Sequence, residues 1–378
     1  MIIMSINLSK YVGIVAVLLS LFAMACVIHC QIPKANPQDS TLAEQWKGII
    51  HKKLLHVAQT NNTPSSSCVR VCYYVLPLSN SSDYLQPEDV DAFLCTHLII
   101  VADGSAIVND SVQFKHPQDE ELIQRTVALK QRNPRLLLLF SLMLGFPKLV
   151  TNHTAVVSFA YNMRMFVEQR GLDGVDVDWE FPKWSPGGGE KALFVDLLDH
   201  LSTALRLVQP SYLLTVAVSG IKTIVATSYD LPGIARNCDL ICLMGYDYHM
   251  YKPYLPFTGH NAPLYPSKGS LGYFATLNVA ASVAGLLRGG VPRQQLVVGV
   301  PTYGRTWRWV WLLSERWQGL GAPARGSGFG EGYISYPGAV GFTGSADHVS
   351  WDTVAGVPYA ARGTDWISYD DPSSIALK

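Results

Sequence analysis

Apolar runs of strand length alternate with longer amphipathic stretches along most of the chain. The runs are VRVCYYV, THLIIVA, RLLLLFSLML, GVDVDWEF, YLLTVAVSG, DLICLMGYD and QLVVGVPTYG. Helix candidates between them include DEELIQRTVALKQRN, AVVSFAYNMRMFVEQRG and EKALFVDLLDHLSTALRLVQ. Because strands that are buried on both faces are continuously apolar, this alternation predicts an α/β fold, a TIM-type (β/α)8 barrel. Gly-, Trp- and Tyr-rich sequence from about residue 305 to 368 breaks the rhythm and predicts an α+β insertion after the seventh strand.

The first residues of the chain have the pattern of a targeting segment. Lys10 precedes an uncharged apolar run, YVGIVAVLLSLFAMACVI, and the small residues of Ala23-Met24-Ala25 offer a cleavage site. Residues 1–25 are therefore predicted to be a secretory signal peptide, and the alternative is an uncleaved membrane anchor. Residues 26–67 are polar and predict a linker, so that residues 68–378 would form the folded domain.

Four glycosylation sequons agree with entry into the secretory pathway. They have the form N-x-S/T without Pro in the middle, and lie at Asn61, Asn80, Asn109 and Asn152. We therefore expect an extracellular glycoprotein, or a membrane-anchored protein whose domain lies outside the cytoplasm. Contact with a membrane is expected only if the apolar segment is retained.

Composition narrows the class of partner. With 378 residues, 48% of them hydrophobic, the chain could form one large domain, two ordinary ones, or a single barrel with an insertion. Lys and Arg total 29 and Asp and Glu total 29, so composition implies no basic face and nucleic acid is not an expected partner. The aromatic residues suit carbohydrate stacking as well as ordinary core packing.

Three carboxylates alternate in the stretch GLDGVDVDWEFP, residues 171–182. Side chains two apart on a strand share a face, so Asp176, Asp178 and Glu180 are predicted to point together into the barrel. Three neighbouring carboxylates cannot all ionise cheaply, so at least one should keep a proton, and Glu180, nearest the open end, is the natural donor. The alternatives are a solvated strand face or a calcium loop, although the glycine of the helix-loop-helix calcium pattern is missing.

The stretch DGVDVDWEFP resembles the D-G-x-D-x-D-x-E motif of the family 18 glycoside hydrolases, the chitinases and chitinase-like lectins. The similarity extends from about Val69 to the end of the chain. The other matching stretches follow in the family's order: RVCYYV, EDVDAFLCTHLI, LICLMGYDYH, TGHNAPLY, GVPTYGR, GAPARGSG, VPYA and WISYDD.

The resemblance implies a retaining mechanism in which the substrate supplies its own nucleophile, the acetamido oxygen of the sugar. Glu180 would protonate the departing oxygen. Asp178 matches the residue that holds the acetamido N–H, and Asp176 matches its buried, proton-sharing partner. No cofactor is implied, and no residues at metal-ligand spacing indicate a metal site.

The resemblance also implies substrate contacts and a disulfide. The binding residues would be Tyr73, Met244, Tyr246, Asp247, Tyr303, Arg305 and Trp366. Tyr303 and Arg305 match contacts of the seventh strand, with packing at the barrel rim as the alternative, and Trp366 resembles an aromatic that borders the cleft. Cys72 and Cys95 match a family disulfide. Cys238 and Cys242 lie in an apolar segment, which favours buried thiols over metal binding.

Two departures from the family pattern bear on activity. Leu142 and Met143 stand where the third strand usually ends in a glycine pair, so their side chains are expected to project where sugar or backbone normally passes. The sequence also stops within what should be the seventh crossover helix, so the barrel is expected to lack its eighth strand. Either the chain is a truncated product, or another segment or a partner covers the unpaired edges.

Three functions fit these observations. An endo-acting chitinase that hydrolyses β-1,4-linked N-acetylglucosamine polymers is favoured by the intact row of acids. A chitinase-like lectin that binds the sugars without cleaving them is favoured by the missing strand. An unstable fragment without function is the third hypothesis.

Overall fold

The computed structural model describes residues 68–79, 84–183, 189–310 and 319–378. The predicted signal peptide or anchor and the predicted linker lie outside the described residues. Among the described helices, none combines the length and apolar character needed to cross a bilayer.

Seven parallel strands form the main sheet, and each coincides with one of the predicted apolar runs. They are β1 (Val71–Val75), β2 (His97–Val101), β5 (Leu137–Leu142), β6 (Gly174–Val177), β7 (Leu213–Ser219), β8 (Leu240–Met244) and β9 (Leu296–Val298), hydrogen-bonded in that order. A small hairpin of β3 (Ala106–Val108) and β4 (Ser111–Gln113) follows β2 and was not predicted. The sheet is curled: the Tyr73 hydroxyl on β1 lies 3.4 Å from Asp176 on β6, three strands away in the sheet order. The TIM-type architecture is therefore confirmed, and β1 and β9 are not paired with each other in the described part of the chain.

Helices cover the outer face of the sheet, as the amphipathic stretches predict. The longest described helix is α3 (His153–Arg170), and the Asn152 side chain caps its first turn by accepting a 3.2 Å hydrogen bond from the Ala155 amide. The described helices around the barrel are α1 (Asp119–Val127), α2 (Phe146–Val150), α3 (His153–Arg170), α4 (Gly189–Leu205), α5 (Lys222–Ser228), α6 (Leu231–Asn237) and α7 (Val279–Arg288).

The continuous apolar character of the strands has a simple structural cause. On β2, Leu98 and Ile100 belong to the core between sheet and helices, whereas Ile99 and Val101 belong to a second core inside the curled sheet. Both faces are buried, so both alternating positions are apolar. Cys242 lies in the inner core and Cys238 in the outer one, and both thiols are buried, in agreement with the expectation for them.

An antiparallel sheet after β9 confirms the α+β insertion. Its strand order is β11-β10-β15-β14-β13, with β12 paired to β10 and one helix packed beside it. The elements are β10 (Tyr303–Trp309), β11 (Ala324–Ser327), β12 (Tyr333–Ser335), α8 (Tyr336–Thr343), β13 (His348–Asp352), β14 (Val357–Arg362) and β15 (Asp365–Ser368), followed by α9 (Pro372–Leu377). The sheet begins at Tyr303, so the placement of Tyr303 and Arg305 on the seventh barrel strand is corrected. That strand ends at Val298, and both residues lie on β10.

The predicted disulfide is present and joins Cys72 on β1 to Cys95, just before β2, with 6.1 Å between the Cα atoms. Both residues are buried in the outer core. The bridge closes the loop between the first two strands and so fixes one edge of the sheet.

Candidate active site

The acidic stretch lies at the carboxyl end of β6, where active sites of this architecture are found. The strand ends at Val177, but the Asp178 amide still donates to the Leu142 carbonyl at 2.8 Å. Side chains therefore continue to alternate between the two faces of the sheet for one residue beyond the end of β6. Trp179 points outward, because its ring stacks on Phe146 at 5.1 Å and meets Phe194 edge-on at 5.6 Å. Asp176 and Asp178 therefore point into the barrel, as the parity predicts.

Asp176 is fully buried and holds three hydroxyl donors. Thr215 donates to its Oδ1 at 2.6 Å, Ser141 donates to its Oδ2 at 3.0 Å, and Tyr73 approaches Oδ1 at 3.4 Å. Strand register places the first two, since Asp176 lies directly opposite Ser141 on β5 and Thr215 on β7. Burial raises the pKa of Asp176 to about 6, and the three hydroxyl groups limit that rise by favouring the ionised form.

Asp178 has the more perturbed carboxyl group of the two. Its side chain is 4% exposed, and burial, followed by the negative charges of Glu180 and Asp176, raises its pKa to about 8. Its Oδ1 atom is buried without a hydrogen-bond partner in the described part of the chain. A buried polar atom without a partner is costly, so this oxygen is available to a ligand that brings a donor.

Glu180 differs from both aspartates because it is exposed to solvent. Its negative charge contributes to the raised pKa of Asp178, which shows that the two carboxyl groups are close. The row therefore runs from a buried, hydrogen-bonded carboxyl group to a solvent-accessible one within five residues. The alternative of a solvated strand face does not fit, because Asp176 and Asp178 are buried.

Most of the predicted binding residues line the inside of the barrel near these acids. Tyr73, Met244, Tyr246 and Tyr303 all belong to the inner core and are between 4% and 7% exposed. The rings of Tyr246 and Tyr303 meet edge-on at 6.1 Å. These residues come together because the sheet is curled. Its strands β1 and β8, and the segment after β9, each direct side chains into the same interior.

An ion pair links two further predicted residues. The Arg305 guanidinium donates through Nε to Oδ1 of Asp247 at 2.6 Å and lies 5.3 Å from the centre of the Tyr303 ring. Asp247 has a positive φ of 57°, and its amide donates to the Asn261 side chain at 3.0 Å. A non-glycine residue in the left-handed region is uncommon and is found often at functional sites. Arg305 and Asn261 thus hold the turn after β8, one through the side chain of Asp247 and the other through its amide.

Trp366 does not lie with the other predicted residues. Its ring is 0% exposed and packs in the core of the insertion, 5.2 Å from Trp307 and 5.6 Å from Tyr359. An aromatic that is covered on all sides cannot border an open cleft, so the expectation for Trp366 is corrected. It supports the second sheet instead.

The residues that replace the glycine pair point in opposite directions. Leu142 is buried in the outer core, so its expected projection into the sugar path is wrong. Met143 is half-buried and packs against the inner core, on the same face as Ser141. Only Met143 is therefore positioned to narrow the mouth of the barrel.

Three residues of the site were not predicted from the sequence: Ser141, Thr215 and Asn261. Ser141 and Thr215 are the hydroxyl partners of Asp176, and the Asn261 amide nitrogen donates to the Tyr303 carbonyl at 3.3 Å while its oxygen accepts from Asp247. A signal was present for the first two, because Ser141 is the single hydroxyl residue of β5 and Thr215 is the one hydroxyl residue inside β7, whose last residue is Ser219. Their partner could not be read from the chain, since the pairing depends on register between strands.

Comparison with known proteins identifies the class. The sequence profile described as "Glycosyl hydrolases family 18" matches residues 69–378, and the chain therefore belongs to this family. Chitotriosidase-1 of Mus musculus is 34% identical over 335 residues, which cover 83% of this chain and 69% of the relative.

Solved structures with this fold include catalytic and non-catalytic proteins. One, described as "Human YKL-39 is a pseudo-chitinase with retained chitooligosaccharide binding properties", has a TM-score of 0.73 and 29% identity, covering 81% of this chain and 86% of that one. The group IV chitinase of Ostrinia furnacalis in complex with allosamidin has a TM-score of 0.72 and 29% identity, with the same coverage of both chains. Membership of the family is thus shown, and the similar proteins include both a chitinase and a pseudo-chitinase.

Proposed function

We propose that this protein is a secreted glycosidase that cleaves β-1,4-linked N-acetylglucosamine polymers with retention of configuration, and that Glu180 is its general acid. The observation that carries the proposal is the arrangement of the acids at the end of β6. Glu180 is accessible to a solvent-borne substrate, whereas Asp178 and Asp176 behind it are buried and have raised pKa values. A general acid has to meet the glycosidic oxygen, and Glu180 is the exposed member of the row.

The proposed first step needs no protein nucleophile. The acetamido carbonyl oxygen of the bound sugar attacks the anomeric carbon, the bond from that carbon to the leaving oxygen breaks, and the protonated form of Glu180 transfers its proton to the leaving oxygen. The Glu180 carboxylate then takes a proton from water, and the water oxygen attacks the anomeric carbon and reopens the ring. Each carboxyl group returns to its starting state, so the cycle balances without a cofactor.

Asp178 has the properties required of the residue beside the acetamido group. Its buried oxygen without a partner can accept the acetamido N–H, and positive charge that develops on the cyclic intermediate favours the ionised form of Asp178. Asp176, held by Thr215 and Ser141, can accept the proton that Asp178 releases, because its own pKa of about 6 is close to neutrality. Asp176 and Asp178 would thus share one proton during turnover.

The remaining contacts belong to the walls of the barrel mouth. We assign sugar binding to Tyr246, Asp247, Tyr303 and Arg305, with Tyr73 and Met244 as the interior surface below them. The ion pair between Arg305 and Asp247 fixes the direction of the carboxylate that would face the sugar. Secretion, with residues 1–25 as the signal peptide or an anchor and residues 26–67 as a linker, belongs to the same proposal.

A second candidate function is binding of chitooligosaccharides without cleavage. Met143 favours it, because this side chain lies at the inner face where the family's glycine pair leaves room. A narrowed mouth would hinder the distortion of the sugar that hydrolysis needs, while other contacts could still hold a chain. The similarity to a pseudo-chitinase that binds chitooligosaccharides supports this candidate as well.

One experiment separates the two candidates. The purified protein is assayed on a fluorogenic chitooligosaccharide beside Glu180→Gln, with Glu168→Gln, an exposed carboxylate on α3, as the matched control. Loss of a general acid is expected to lower the rate at least about 100-fold in Glu180→Gln, while the control retains the wild-type rate. Equal rates in the wild type and Glu180→Gln would reject the proposal that the protein is a glycosidase with Glu180 as its general acid.

Calorimetric titration with chitotetraose completes the test. Binding without turnover in the wild type would establish the second candidate and reject the first. If the wild type neither binds nor cleaves the oligosaccharide, both candidates are wrong.

A further inference from the structure

Two histidines and an aspartate converge on the outer surface of the barrel, away from the acids at the end of β6. His153 is the first residue of α3, and Asp196 and His200 lie one turn apart on α4. One ligating atom from each of the three lies within 4.8 Å of those of the other two. The set lies on the outer helices, whereas the acids of the candidate active site point inside the barrel.

We propose that His153, Asp196 and His200 form a binding site for a divalent transition-metal ion of the zinc class. Imidazole nitrogen and carboxylate oxygen are ligands that Zn²⁺ takes in proteins, and three protein ligands with water in the fourth position complete a tetrahedral shell. The sequence expectation of no metal ligands is thereby revised. Spacing along the chain showed only the i, i+4 pair, and the third ligand comes from another helix.

The geometry is close to what a bound ion requires. In a tetrahedral site with bonds of about 2.0–2.2 Å, neighbouring ligand atoms lie about 3.4 Å apart. Nε2 of His200 and Oδ1 of Asp196 are already 3.7 Å apart. The rings of His153 and His200 meet edge-on with centroids 5.1 Å apart, and the His153 side chain would rotate to bring its nitrogen to the ion.

The surroundings permit that rotation and allow an ion to enter. His153 is exposed, while the side chains of His200 and Asp196 retain 27% and 44% of their accessible surface. An exposed first residue of a helix changes rotamer without disturbing a core. The i, i+4 partners are held by a helix that is itself packed against α3, so two of the three ligands are preorganised.

A bound ion would join the two helices that flank the acidic strand. The helix α3 precedes β6 and α4 follows it, so a link between them would brace the strand that carries Asp176. The ion would contact neither Glu180 nor the sugar. The three ligands come together only in the folded chain, so the ion would bind the folded state and not the unfolded one. Binding would therefore raise the free energy of unfolding.

Titration of the full chain with Zn²⁺ in a calorimeter tests the proposal. His153→Ala and His200→Ala are compared with the wild type, and His348→Ala, which removes an exposed histidine on β13, is the matched control. We expect the wild type and His348→Ala to bind one Zn²⁺ more per chain than His153→Ala and His200→Ala. Equal stoichiometry and affinity in all four proteins would overturn the site.

Thermal denaturation provides a second readout that does not depend on enzyme activity. Zn²⁺ is expected to raise the melting temperature of the wild type and His348→Ala and to leave that of His153→Ala unchanged. His153 is exposed, so its replacement is not expected to impair folding, and far-ultraviolet circular dichroism checks this. A melting temperature of the wild type that does not rise with Zn²⁺, or that rises equally in His153→Ala, would count against the proposal.

Discussion

Asp178→Asn is expected to change how the stability of the protein depends on pH. Asparagine has nearly the same shape as a protonated aspartate but does not titrate. In the wild type, burial and the neighbouring carboxylates raise the pKa of Asp178 from 3.8 to about 8. Between pH 5 and pH 7 this group is therefore protonated in the folded protein and ionised in the unfolded chain.

The sign and size of the effect follow from proton linkage. The folded state binds one more proton than the unfolded state in this range, so the free energy of unfolding falls as the pH rises. The stabilisation is fully present below the unfolded pKa and is lost as the pH rises towards the folded value. The slope is about 1.4 kcal/mol per pH unit for one group, which makes about 3 kcal/mol between pH 5 and pH 7.

Urea denaturation followed by tryptophan fluorescence at pH 5, 6 and 7, without reductant, measures this slope. We expect Asp178→Asn to lose most of the decrease that the wild type shows, and to be the more stable protein at pH 7. Asp199→Asn removes an exposed carboxylate from α4 and serves as the control that keeps the wild-type slope. Parallel pH profiles for the wild type and Asp178→Asn would refute the assignment of the raised pKa to Asp178.

Three further predictions follow from the contacts. Thr215→Val removes the 2.6 Å hydrogen bond to Asp176 with little change in side-chain volume, and should lower the free energy of unfolding by about 1–3 kcal/mol at pH 7. The loss should be smaller at pH 5, because Asp176 is protonated there. Equal losses at the two pH values in urea denaturation would contradict this prediction. Replacing both Cys72 and Cys95 by Ala should cost about 2–4 kcal/mol in the same assay, and an unchanged midpoint would show that the bridge does not stabilise the fold. Met143→Ala should bind chitotetraose more tightly than the wild type in calorimetry, because the Met143 side chain lies at the inner face of the barrel mouth. An unchanged Kd would show that Met143 does not narrow the mouth.

The sequence by itself determined the architecture and the direction in which the two aspartates at the end of β6 point. Strand and helix periods are local properties, so the seven apolar runs and the amphipathic stretches between them predicted the observed elements. The same local rule explains why Asp176 and Asp178 were assigned correctly to the interior: side chains two apart on a strand share a face, and Trp179 between them points out to the helices.

Other features were decided only when distant segments came together. Burial and neighbouring charge determine how far the pKa of each aspartate is raised, most of all for Asp178, and both depend on how the sheet curls around these side chains. Strand register selected Ser141 and Thr215 as partners of Asp176, and the packing of a second sheet covered Trp366.

The convergence of His153 with His200 likewise required two helices separated in sequence by β6. Periodicity along a chain reports which face a residue occupies. The residue that it meets on that face is set by contacts between segments far apart in sequence, and only the tertiary structure contains them.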